Sequence, residues 1–98
     1  MKNSVFLFTT ADPKLILEEF SNYFNDQNYK FEIAKDKYKM KVNILVGSES
    51  VDMTINIMRV TEGKMCVEFN RVGGDSIEFF KQYNQIKEVF GDLVDATY

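Results

Sequence analysis

Hydrophobic and polar positions along this chain follow a pattern that predicts, in order, one strand, a helix, four strands and a second helix. Val5 to Thr9 is a short run of β-forming residues and reads as a strand. Asp12-Pro13 then reads as a helix start: the aspartate can accept an early helix N–H, and proline fits the first helical position. Beyond it Ile16, Phe20 and Phe24 share one face, with Leu17 and Tyr23 alongside, while Glu18, Glu19, Asn22 and Asn25 face water. Asn25-Asp26-Gln27-Asn28 ends this helix.

The middle of the chain alternates with a period of two. Tyr29 to Ala34 places Phe31 and Ile33 on one face. Tyr38 to Val46 does the same with Tyr38, Met40, Val42, Ile44 and Val46. A turn at Gly47-Ser48-Glu49-Ser50 leads to Val51–Val60, with Val51, Met53, Ile55 and Ile57 inward. A hairpin turn at Thr61-Glu62-Gly63-Lys64 leads to Met65–Asn70, with Met65, Val67 and Phe69 inward. Gly73-Gly74 is expected to break the sheet. Asp75-Ser76-Ile77-Glu78 has the spacing of a capping box, in which Asp75 caps the backbone and Glu78 reaches back. The second helix presents Phe79, Tyr83, Ile86 and Phe90 on one side, flanked by Phe80 and Val89, and Gly91 is placed to stop it. The tail Asp92–Tyr98 is expected to fray.

Short connections between the strands imply antiparallel pairing. The predicted fold is α+β: a two-layer sandwich, order βαββββα, with an antiparallel sheet of four to five strands and both helices on one face. The opposite face then meets solvent or a partner. Leu45 and Met58 fall on that outward side. The 98 residues form a single domain, 1–98, with a core spanning about 5–93.

Composition narrows the chemistry. The chain has no His and one Cys, Cys66, which removes the usual neutral-pH base, the commonest metal ligand and any intrachain disulfide. No phosphate-cradling glycine loop, metal-ligand spacing or nucleophile–base pair occurs, so no catalytic residue, metal or cofactor is assigned. The carboxylates fall at helix starts, helix exteriors, turns and outward strand positions, where solvation or capping accounts for them. The formal net charge of −3 argues against nucleic acid as a partner. No apolar run reaches the ~20 residues of a membrane span, and no signal peptide is visible, so a cytoplasmic or nuclear protein is expected, with peripheral membrane attachment through a basic patch left open. That patch is the one unusual charge feature: Lys35, Lys37, Lys39 and Lys41 alternate, and on a strand would share one side, with Arg59 and Arg71 able to extend them.

Two blocks of sequence resemble the kinase-associated-1 domain, a C-terminal regulatory module of serine/threonine kinases of the checkpoint, calcineurin-B-like-interacting and microtubule-affinity-regulating types. The first is Phe8-Thr9-Thr10 followed by the Pro13 helix. The second runs from Val67 through Arg71, Gly73, Gly74, Asp75, Glu78 and Phe79 to Lys81. The resemblance implies a non-catalytic role, with Phe8, Thr9, Gly74, Asp75, Glu78 and Phe79 as mainly structural motif residues. It implies autoinhibitory contact with the kinase domain of the same parent chain, or docking of a regulatory protein. Binding to an anionic membrane through the Lys35–Lys41 stripe is the alternative. A small α+β enzyme or ligand carrier is the third reading, and needs a deep pocket with converging polar groups.

Overall fold

The computed structural model describes residues 4–91, apart from the side chain of Lys35. The elements are β1 (Ser4–Thr9), α1 (Pro13–Asp26), β2 (Lys30–Ala34), a 3-10 turn (Lys35–Lys37), β3 (Lys39–Val46), β4 (Glu49–Thr61), β5 (Lys64–Gly74) and α2 (Ser76–Val89). The five strands form one antiparallel sheet in the order β1-β5-β4-β3-β2. The fold is therefore the predicted βαββββα sandwich, with the first strand returning to the sheet beside the last.

Alternation along the strands decides what lies under the helices. The inward residues Leu7, Met40, Val42, Ile44, Val51, Met53, Ile55, Ile57, Met65, Val67 and Phe69 are buried against Ile16, Leu17, Phe20 and Phe24 of α1 and Phe79, Tyr83, Ile86 and Phe90 at α2. Aromatic rings join the two layers. Phe20 lies 4.8 Å from Phe90, and Tyr83 meets Phe69 edge-on at 5.2 Å, centroid to centroid. Such pairs add roughly 0.5–1.5 kcal/mol each beyond their burial.

Local chemistry sets the ends of the elements. Asp12 accepts the Lys14 N–H at 2.8 Å, with Pro13 opening α1. The hairpin loops shrink to Gly47-Ser48 and Glu62-Gly63, since Val46 pairs with Glu49 and Thr61 with Lys64. Helix α2 ends at Val89 with Phe90 as its cap. The expectations for residues 92 to 98 lie outside the described residues.

Three expectations are corrected. Gly73 and Gly74 do not break the sheet: they pair with Asp52 and Val51 at the end of β5, past a bulge that absorbs Val72. The capping box is half formed. Asp75 accepts the Glu78 N–H at 2.7 Å, but Glu78 turns to the Gln82 amide at 3.0 Å, and the Asp75 N–H goes to Ser50 O at 3.3 Å. The neighbouring strand thus supplies the acceptor that the glutamate was expected to give. Thirdly, Tyr38 is not on a strand: it leaves the 3-10 turn with φ +48°.

Candidate functional site

The face of the sheet opposite the helices is the surface on which the sequence placed its binding residues. Cross-strand register fixes its rows. One row is Phe8–Cys66–Met58, the next Phe6–Glu68–Asn56–Lys39–Ala34, and the next Ser4–Asn70–Thr54–Lys41–Glu32. Asp52 and Asn43 follow, opposite Lys30. Side chains across these rows hydrogen-bond in pairs. Asn43 donates to Asp52 at 2.6 Å, Asn56 to Glu68 at 2.9 Å and Ser4 to Asn70 at 2.7 Å. Two of the carboxylates on this face, Asp52 and Glu68, therefore accept from asparagine amides.

The lysine stripe does not survive as one row. Lys35 and Lys37 belong to the 3-10 turn between β2 and β3, so only Lys39 and Lys41 stand on a strand and share the open face. A strand continued from 38 back to 35 would need extended backbone at Tyr38, which is left-handed instead. Arg59 and Arg71 do not extend the stripe either. They pair with Met65 and Met53, both inward residues, and so fall in the register of the helix side of the sheet. Arg71 folds back to donate to Gly74 O at 2.9 Å. The open face carries Lys30, Lys39, Lys41 and Lys64 against Glu32, Asp52 and Glu68, close to electrical balance.

The face is divided. Toward β2 it carries the charged rows, with Leu45 exposed at the end of β3, and holds a shallow groove of about 470 Å³ lined by Lys41, Asn43, Asp52 and Thr54, with Lys30 and Glu32 on one side and Val72 on the other. Toward β1 it is apolar, with Phe6 and Met58 exposed beside Phe8. The Lys64 ammonium lies 5.9 Å from the centre of the Phe8 ring. Cys66 keeps its outward strand position, but its neighbours cover it to 6% exposure. Burial, with Glu68 nearby, pushes its thiol pKa up, which suppresses the reactive thiolate.

A second groove, about 510 Å³, lies between α1 and the edge of β2 and is lined by Lys14, Leu17, Glu18, Ser21, Ile33 and Tyr38. Its only hydroxyl besides Tyr38, that of Ser21, is engaged by Leu17 O at 2.6 Å. No cluster of metal-ligating side chains occurs among the described residues. No helix among them is long and apolar enough to cross a membrane.

The residues that carry the family resemblance act within the fold. Thr9 is buried, and its hydroxyl accepts the Ala11 N–H at 3.0 Å, which turns the chain from β1 toward α1. Phe79 is fully buried. Asp75 caps α2. Gly74 has φ +89°, and a Cβ there would run into the Ser50 carbonyl oxygen of β4. Only glycine fits that close approach. Phe8 alone of the motif reaches the open face.

Sequence reasoning missed one polar element. Gln82 is 3% exposed and sits in a chain running from the Tyr29 hydroxyl (3.3 Å to Gln82 Oε1) to Glu78. Burial and the nearby Glu78 raise the Tyr29 pKa. Gln82 follows Phe79 by three residues, on the core stripe, so helical spacing alone would have flagged it. No protein-family model matches the chain, and no curated protein is similar to it.

Proposed function

We propose that this chain is a non-catalytic regulatory domain of a serine/threonine kinase, of the kinase-associated-1 kind, acting by reversible contact between its open sheet face and the kinase domain or a docked regulatory protein. The observation that carries the reading is the open face itself: a helix-free surface of paired, hydrogen-bonded polar side chains bordered by apolar residues. The β5–α2 junction supports it, because Gly74, Asp75 and Phe79 each serve a structural need there, as the resemblance implies.

Charge distinguishes the alternatives. Each lysine near an anionic bilayer contributes on the order of 1 kcal/mol, but Glu32, Asp52 and Glu68 share this face with its four lysines and offset them. A surface of alternating sign matches a protein better than a lipid headgroup layer. Its dimensions suit a transient contact. Strands ~4.8 Å apart and ~3.4 Å per residue give a projected area on the order of 500 Å², toward the low end of specific interfaces.

The test is the activity of the parent kinase with and without this domain, and with Lys39→Glu/Lys41→Glu. Restraint by the open face predicts that both changes raise basal activity. Unchanged activity on removing the domain would eliminate autoinhibition. Salt-sensitive sedimentation with phosphatidylserine vesicles, abolished by the same double substitution, would favour the membrane reading instead.

A further inference from the structure

Among the described residues the sheet ends in β1 on one side and β2 on the other, and these outer strands differ in chemistry. β2 carries Lys30 and Glu32 and runs directly into the Lys35–Lys37 turn. β1 reads Ser-Val-Phe-Leu-Phe-Thr. It has no charge and no proline, and its register with β5 runs unbroken from Ser4↔Asn70 to Thr9↔Met65. Charges, prolines and bulges are what keep exposed strand edges from pairing, and β1 has none of them. It also borders the apolar part of the open face, where Phe6 is 48% exposed and the Phe8–Cys66–Met58 row begins.

We propose that two copies of this chain associate through their β1 edges, antiparallel about a two-fold axis at Leu7, to make one continuous sheet. The sequence of β1 is self-complementary in this register. Leu7 faces the partner's Leu7, Phe6 faces the partner's Phe8, and Val5 faces the partner's Thr9. Each pair joins side chains from the same face of the sheet, so both sets of helices lie on one side. No charge opposes another across the new ladder, and the two Phe6–Phe8 pairs form a cross-strand aromatic cluster on the open face. The edge is already tied to the rest of the fold. The Tyr83 hydroxyl of α2 donates to Phe6 O at 3.4 Å, and Leu7 and Thr9 are buried, so pairing requires little additional ordering. The contact is isologous and closes on itself, which consumes both β1 edges. It leaves the Lys39 and Lys41 part of each face open to another partner.

Sedimentation velocity tests the proposal on the 98-residue protein, from low micromolar to about 1 mM, a range that brackets a weak dimer. The expected mass rises with concentration from 11.4 kDa toward twice that value. Phe6→Lys, at an exposed position, is expected to weaken association at least tenfold. Val72→Lys, 64% exposed and beside the groove near β2, is expected to leave it unchanged. Circular dichroism checks that both variants fold. Should Phe6→Lys fail to fold, hydrogen exchange on the unaltered protein replaces it: β1 amides facing away from β5 gain protection as concentration rises. A mass fixed at 11.4 kDa throughout overturns the proposal. So does a dimer that survives Phe6→Lys, one that Val72→Lys also dissolves, or β1 exchange indifferent to concentration.

Discussion

Replacing Gly74 with alanine should cost far more than the same change at Gly63, although both glycines have positive φ. Gly63 sits in the β4–β5 hairpin with φ +77° and nothing within 4 Å of where a methyl group would stand, so alanine there meets only the left-handed penalty, about 1–2 kcal/mol. Gly74 has φ +89° and carries the same penalty, but its Cβ would also collide with the Ser50 carbonyl oxygen and stand 2.8 Å from Ser50 C and Val51 Cα. Those atoms are backbone and cannot rotate away. Relief requires β4 and β5 to part at their last pair, at the expense of the Asp75 N–H to Ser50 O bond (3.3 Å) and of the ladder bonding of the Val51↔Gly74 pair. Two such bonds are worth about 1 kcal/mol each. The total is roughly 3–4 kcal/mol, a large share of the 5–15 kcal/mol available to a domain of this size. Thermal and urea denaturation followed by circular dichroism measure it. At about 4–8 °C per kcal/mol, Gly74→Ala should lower Tm by at least about 12 °C, and Gly63→Ala by roughly half as much or less. Equal losses at the two sites would refute the argument from close approach.

Other expectations follow from the same geometry. Asp75→Ala removes the α2 cap and should cost about 1 kcal/mol, read as a Tm drop of roughly 4–8 °C. Phe79→Ala empties a fully buried site between α2 and the sheet and should cost about 3–5 kcal/mol in urea denaturation. Burial raises the pKa of Cys66 and of Tyr23, Tyr29 and Tyr83. The folded chain therefore keeps protons that the unfolded chain gives up, so the contribution of these groups to stability is level below the ordinary thiol value of 9.0 and falls as pH rises above it. Urea midpoints across that range check the sign, and Cys66→Ser should remove the earliest part of the decline. At neutral pH the Cys66 thiol should alkylate slowly in the folded protein and quickly once it is unfolded.

Hydrophobic spacing made most of the fold legible, because each element buries one face and the period of that face is local information. Ile16, Phe20 and Phe24, or Val51, Met53, Ile55 and Ile57, announce their elements without reference to the rest of the chain. Pairings between distant segments leave no such trace. Nothing in Ser4–Thr9 says that it lies against Asn70–Met65, because that contact is set by closing the sheet around both helices. The lysine stripe misleads for a local reason. Lys-Asp-Lys-Tyr-Lys-Met-Lys has a period of two whether it is a strand or a turn feeding one, and it lacks the glycine or proline that normally marks a turn. The left-handed Tyr38 performs the reversal instead. The half-formed capping box has a similar origin: Glu78 has the right spacing, but Ser50 and Gln82, brought in by the sheet and the helix, offer the two groups their partners.

The proposed regulatory contact falls on the open sheet face rather than on the helices. Amide chemical shifts of the labelled domain, followed while the parent kinase domain is added, test it directly. The account predicts shifts gathered on Lys39, Lys41, Asn43, Thr54 and Asn56, with α1 and α2 unaffected on their exposed sides. Shifts confined to the helices, or none at saturating kinase domain, would contradict it.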